Sequence, residues 1–195
     1  MNMQFGRIMK NPAVAHLLKD YTLAFMALHD QYTTGHCNEV SCLAVKAARD
    51  LGLSPEDVEQ IALAGDLHDL GKQGIPSQIL SKPGALSASE FRLIQDHVQI
   101  GVDLLESVGF DPVVVRYVAE HHERLDGSGY PNGLKGEQIS LGGQIIGVAD
   151  VASALTSKRT YRTAASKSEL EALFEKEGAA RYNPDIVRAV MSYIT

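Results

Sequence analysis

Apolar residues recur along this chain at helical spacing. Val40, Leu43, Ala44 and Ala47 fall at i, i+3, i+4 and i+7, and Val58, Ile61, Ala62 and Gly65 repeat that pattern with a small residue at its end. Phe91, Ile94, Val98 and Gly101 look similar. Such a period lines one face of a helix with groups that seek a core. The helix starts are marked as well. Asn11-Pro12, Ser54-Pro55, Asp111-Pro112 and Asn183-Pro184 each set a capping side chain before a proline. The side chain accepts bonds from free N–H groups of the first turn, and proline there has no N–H to leave unpaired. Ser54 with Asp57, and Ser87 with Glu90, resemble capping boxes. Gly52 and Gly178 stand where helices stop. The spacing predicts helices over 12–29, 36–51, 55–69, 88–107, 112–122, 140–157, 167–177 and 184–194. Val113, Val114 and Val115, and Ile145 with Ile146, are β-branched, but their flanks favour helix and no strand pair emerges. The chain reads as all-α. A Gly-rich break over 126–136 reads as a functional loop.

Composition narrows the class. At 195 residues the chain suits one domain with a short helical extension, read as residues 1–30 joined to a main unit over 31–195. Hydrophobic residues at 45% and charged residues at 22% describe an ordinary soluble fold. No apolar run has the length of a membrane span, and no secretory signal opens the sequence. Cys37 and Cys42 lie five residues apart on one predicted helix, which disfavours a disulfide between them. Both are expected as reduced thiols of a cytoplasmic protein. A net charge of −6 argues against binding DNA or RNA polymers, which requires clustered cations. It leaves room for a small anionic substrate, because a bound metal can invert the local field.

The chemistry lies in the histidines. Of seven, His16 and His29 fit no pattern, whereas His36, His68, His97, His121 and His122 sit at predicted helix ends or helix–loop junctions. Asp69 follows His68 directly, and Asp150 stands in Val148-Ala149-Asp150. Adjacent helical residues point about 100° apart, so a His-Asp pair can serve two ions or bridge them. Imidazole with carboxylate suits Fe, Mn, Zn, Co or Ni and suits Mg or Ca poorly. Structural zinc sites are usually closed by four Cys or His ligands, so an acid-bearing set spread over five segments favours a catalytic site.

Two stretches go further. Leu67-His68-Asp69-Leu70-Gly71-Lys72-Gln73-Gly74-Ile75-Pro76 and His121-His122-Glu123-Arg124-Leu125-Asp126-Gly127-Ser128-Gly129-Tyr130-Pro131 resemble the HD and GYP segments of the HD-GYP domain, a branch of the HD phosphohydrolase superfamily. Gly133-Leu134-Lys135-Gly136, Val148-Ala149-Asp150 and Ala154-Leu155-Thr156-Ser157 follow in family order, so the resemblance runs from about His36 to Pro184. It implies an HD-domain helical bundle with a Gly-rich GYP loop. It implies two divalent transition ions, Fe or Mn foremost, with His36, His68, Asp69 and Asp150 on one, and Asp69, His97, His121 and His122 on the other. Asp69 would bridge. Lys72 would lie near the shared water and the scissile phosphate, Tyr130 would shape the substrate pocket, and Arg159 and Arg162 would contact substrate phosphate or base. The implied reaction is hydrolysis of cyclic di-GMP by in-line attack of a metal-bridging hydroxide, giving pGpG with or without onward cleavage to GMP. Cyclic GMP-AMP as substrate, and a cyclic-dinucleotide receptor with little turnover, are the alternatives. The first thirty-odd residues are expected as either a small cap or a dimer-forming helix, so a homodimer and a signalling partner protein are further candidates.

The residues themselves agree in part. Lys72 lies one turn after Asp69, close enough to face the same site. Arg159 and Arg162 share a face at i, i+3 if the helix persists, where they would either clamp phosphate oxygens or simply satisfy a helix end. Glycines at 127, 129, 133 and 136 open backbone conformations closed to other residues. The chain also departs from the family. Tyr32 stands where some members carry an acid that gives a third metal, so two are expected. Cys37 and Glu39 stand where Ser and Arg are usual, Val98 stands where proline is common, and Ser153 replaces a common acid.

Overall fold

The computed structural model describes residues 12–29, 31–157 and 164–195. Among these residues ten α-helices form, in order: α1 (Pro12–His29), α2 (Gln31–Asp50), α3 (Pro55–Leu67), α4 (Ser77–Leu80), α5 (Ala88–Gln95), α6 (His97–Val108), α7 (Pro112–Glu120), α8 (Leu141–Thr156), α9 (Lys167–Glu177) and α10 (Pro184–Met191). Two 3-10 turns, Leu70–Gly74 and Gly136–Gln138, interrupt them. Among the described residues there is no strand, only an isolated bridge between Asp126 and Lys135. The fold is all-α, as the periodicity predicts.

The expected caps are made. Ser54 Oγ accepts from the Asp57 amide at 3.1 Å, the Asp111 carboxylate from the Val113 amide at 2.8 Å, and the Asn183 side chain from the Asp185 amide at 3.0 Å. Ser87 and Glu90 cap α5 reciprocally, and Ser166 with Glu169 do the same for α9. Each such cap contributes about 1 kcal/mol. Asn11, the cap expected before Pro12, lies outside the described residues.

Helix α2 runs through the middle, packed on α3 along one side and on α8 along another. Val40, Ala44 and Ala47 of α2 meet Ile61, Ala64 and Leu67 of α3, Val114 and Val118 of α7, and Ile145, Ile146 and Ala149 of α8 in one buried cluster. Full burial of one Ile or Leu side chain contributes about 1.5–3 kcal/mol. The alanines let the helices approach closely. Lys19 of α1 pairs with the largely buried Asp66 at 3.3 Å and ties that helix to α3.

Four expectations are corrected. The helix predicted over 36–51 begins at Gln31, so His36 lies in its second turn instead of at its end. The helix predicted over 88–107 breaks at Asp96 into α5 and α6. His97 Nδ1 takes the Ile94 carbonyl at 2.6 Å, the acceptor an unbroken helix would offer to residue 98. The helix predicted over 55–69 ends at Leu67, which leaves His68 at its C-cap and Asp69 beyond it. Phe91, grouped by period with Ile94 and Val98, is 47% exposed instead of in the core.

Candidate metal centre

Five elements deliver the expected ligands to one end of the bundle. His36 comes from the second turn of α2, His68 and Asp69 from the end of α3, His97 from the start of α6, His121 and His122 from the residues just past α7, and Asp150 from the middle of α8. Their side chains converge. Asp69 Oδ2 lies 3.5 Å from His68 Nε2 and 4.0 Å from His36 Nε2, while its other oxygen, Oδ1, lies 3.5 Å from His97 Nε2. Asp150 Oδ1 lies 2.9 Å from His36 Nε2 and 3.9 Å from His68 Nε2, and its Oδ2 lies 3.7 Å from His122 Nδ1. The ligand atoms fall into two groups, His36 with His68 and Asp69, and His97 with His121 and His122, each within 4.8 Å. The carboxylate of Asp69 turns one oxygen to each group. Two ligand atoms about 2.1 Å from one ion and at right angles lie about 3 Å apart, so the His36–Asp150 spacing suits adjacent ligands.

In three rings the second nitrogen fixes where the lone pair lies. His68 Nδ1–H donates to the Gly65 carbonyl at 2.8 Å, His97 Nδ1–H to Ile94 at 2.6 Å, and His121 Nδ1–H to Val118 at 2.6 Å. A carbonyl only accepts, so each bond holds the proton on Nδ1 and leaves a lone pair on Nε2. In all three rings that Nε2 is buried and has no hydrogen-bond partner. An orphaned buried polar atom costs about 1–3 kcal/mol. Three aimed at one another around two carboxylates fit a cation, and the cluster can hold metal.

Electrostatics favour ionised carboxylates beside neutral rings. Burial alone would raise the Asp69 carboxyl, but Lys72 first, then His68, His97 and His36, hold it well below the carboxylate range. Asp150 is likewise pulled down against its burial, chiefly by its bond to His36 and by His122 and His68. Burial pushes His97 and His121 down, and pushes His122 down to about 3, so all three rings are neutral at pH 7. Lys72 Nζ sits 2.5 Å from Asp69 Oδ2; burial works against its charge, but Asp69 raises it overall and keeps it cationic.

Tyr130 lies over the cluster, its ring 4.6 Å from that of His122. Burial first, then Asp150 and Asp69, push its hydroxyl pKa up, so it remains protonated. Phe91 meets Tyr130 edge-on at 6.3 Å, which accounts for its exposed position on α5. Arg159 and Arg162 lie outside the described residues.

Several supports were not read from the sequence. Glu123 is buried and its carboxylate accepts the Asn132 amide at 2.7 Å and the Leu134 amide at 3.0 Å, holding the GYP loop. Glu120, also buried, accepts from the Ser140 amide at 2.7 Å and the Arg116 guanidinium at 2.7 Å. Arg124 donates to the carbonyls of His121 and Glu123 at 3.1 and 2.7 Å. The loop glycines divide by cause. Gly127, Gly133 and Gly136 have φ of +81°, +63° and +50°, whereas Gly129 is required for space, since a Cβ there would lie 2.4 Å from Glu123 Cα. Glutamates beside ligands in an HHE run were the one available hint; burial of charge is not legible in sequence.

A model of the HD domain family matches residues 15–186. The chain is 38% identical over 165 residues to a cyclic di-GMP phosphodiesterase of Thermotoga maritima, covering 83% of this chain and 45% of that protein. It is 42% identical over 147 residues to 3'3'-cGAMP-specific phosphodiesterase 1 of Vibrio cholerae, covering 75% of this chain and 34% of that one. The chain therefore spans less than half the length of these curated relatives. In structure it is similar to Bd1817, a HDG"Y"P protein from Bdellovibrio bacteriovorus, with a TM-score of 0.71 at 17% identity over 97% of this chain and 66% of that one. With the family matched over nearly its whole length and both motif segments meeting at one cluster, the chain belongs to the HD domain family, in its HD-GYP branch.

Proposed function

We propose that this chain hydrolyses cyclic di-GMP to linear pGpG at a centre of two divalent transition ions. The observation that carries the reading is the buried convergence of three lone-pair-bearing imidazole nitrogens, those of His68, His97 and His121, beside the ionised carboxylates of Asp69 and Asp150. His36, His68, Asp69 and Asp150 would hold one ion, and Asp69, His97, His121 and His122 the other. Imidazole with few carboxylates favours Fe or Mn over Mg. When bound, such a pair lowers the pKa of a shared water and stabilises the attacking and departing oxygens of an in-line displacement.

The chain's own groups have separate tasks. Lys72, cationic and only partly exposed, offers its ammonium to a phosphate oxygen. Tyr130, protonated and stacked on His122, closes one side of the pocket and can donate a hydrogen bond to substrate. Arg159 and Arg162 would grip the second phosphate or a base. His97, His121 and His122 stay neutral and would hold geometry without moving protons.

The test is hydrolysis of cyclic di-GMP and 3'3'-cyclic GMP-AMP side by side, with Mn(II) or Fe(II) added. We expect pGpG from the first, with turnover falling at least about a thousandfold in His68→Ala and Asp69→Ala. Binding of cyclic di-GMP with no product, or turnover undiminished in both variants, overturns the proposal.

A further inference from the structure

Four of the site's imidazoles have an identified partner for Nδ1, and one of the four differs. His68, His97 and His121 use backbone carbonyls. His36 Nδ1 instead meets a hydroxyl, Ser153 Oγ, at 2.9 Å. A hydroxyl can donate as well as accept. Left to itself it could donate to His36 Nδ1, drive the proton to Nε2 and remove the lone pair from the side that faces Asp69 and Asp150.

Glu39 decides the direction. Ser153 Oγ–H donates to Glu39 Oε2 at 2.7 Å, and Ser157 Oγ–H donates to the same oxygen at 2.7 Å. A carboxylate only accepts, so the single Ser153 proton is committed to Glu39. Ser153 must then accept from His36 Nδ1–H, which leaves Nε2, 2.9 Å from Asp150 Oδ1, as the nitrogen that would offer its lone pair to an ion in place of its proton. The spacing makes this possible. Glu39 is three residues after His36 on α2, Ser153 is three after Asp150 on α8, and Ser157 is four after Ser153 at the C-terminal end of α8. Both helices therefore present ligand and support on facing sides. Ser153 is fully buried, so no water competes for its hydroxyl.

We propose that Glu39 is a positioning residue for the metal centre, setting the tautomer and direction of His36 through Ser153, with Ser157 holding its carboxylate. The inference rests on the metal reading above. It assigns a role to two positions, Glu39 and Ser153, at which this chain departs from the usual HD-GYP residues.

The experiment is titration of the metal-free full chain with Mn(II), following free Mn(II) by electron paramagnetic resonance. Wild type, Glu39→Ala and the double variant Glu39→Ala with Ser153→Asp are compared. The double variant sets a carboxylate directly against His36 and bypasses the relay. In Glu39→Ala we expect one of two ions to bind about tenfold or more weakly while the other is unchanged. We expect the double variant to recover affinity, and the metal-free thermal midpoint of Glu39→Ala to stay near wild type. A purely structural role for Glu39 would weaken both ions, lower that midpoint and resist rescue; this pattern, or equal binding by Glu39→Ala and wild type, overturns the inference alone. A wild type that takes up no Mn(II) overturns the two-ion reading and this inference with it.

Discussion

The HD segment and the GYP segment reach the same cluster by different physics. On the HD side, position comes from close packing. The 3-10 turn after Asp69 lies so near α6 that a Cβ on Gly71 would fall 1.9 Å from the His97 carbonyl and 2.6 Å from the Gly101 amide. His68 and Asp69 are thereby held between helices mainly by contact, helped by the Gly65 carbonyl and Lys72. On the GYP side, buried charge takes the place of packing. Glu123 gathers two loop amides, Glu120 gathers Ser140 and Arg116, and Arg124 ties down the carbonyl of His121. A helix end can be wedged because its neighbours are rigid. An eleven-residue loop has no such neighbours and must be gathered by acceptors and donors that its own backbone cannot supply.

The contrast can be broken most forcefully at Gly71. Gly71→Ala should cost about 3 kcal/mol of unfolding free energy by overpacking, because the obstacle is backbone that cannot turn aside. Chemical denaturation measures this, and a cost under about 1 kcal/mol would mean the turn is looser than its contacts imply. On the loop side the expected loss is smaller and differently expressed. Glu123→Gln leaves one amide facing a donor, costs about 1–3 kcal/mol, and should raise KM for cyclic di-GMP more than it lowers kcat. Steady-state kinetics with a denaturation curve separate the two, and a pure kcat loss would place Glu123 in the chemistry instead.

Taken one pH unit at a time, the gentlest lever is pH. Burial holds His122 at about 3 in the folded chain, below the roughly 6.5 of an unfolded imidazole. Between those values the unfolded chain binds the extra proton, so folded stability is complete above about 6.5 and falls as pH drops toward 3. The slope for one such group is at most about 1.4 kcal/mol per pH unit. Metal-free protein should show this acid limb in thermal melts, and His122→Gln should make it shallower, with His97 and His121 supplying the rest; an unchanged limb would assign the effect to other groups.

How much of this was legible varies with range. Asp111 and Asn183 announce helix starts because capping is settled within three residues, and the same locality makes Ser87 with Glu90 readable. Lys72 meets Asp69 as a one-turn spacing requires. Phe91 was misread because a period names a face without naming what lies opposite, here Tyr130, thirty-nine residues on. The unbroken helix over 88–107 was misread because the His97 ring competes for a backbone acceptor, a choice that propensity does not register.

The sequence by itself determined the all-α class, most of the helix starts and the identity of the imidazoles and carboxylates, because those depend on neighbours within a turn or two. Only the tertiary structure decided which nitrogen of His68, His97 and His121 carries the lone pair. Only it brought Glu39 to Ser153, 114 residues away, and Glu120 to Ser140. The physical reason is that a side chain's usable atom is fixed by what its other atoms touch, and those contacts exist only once the helices have packed.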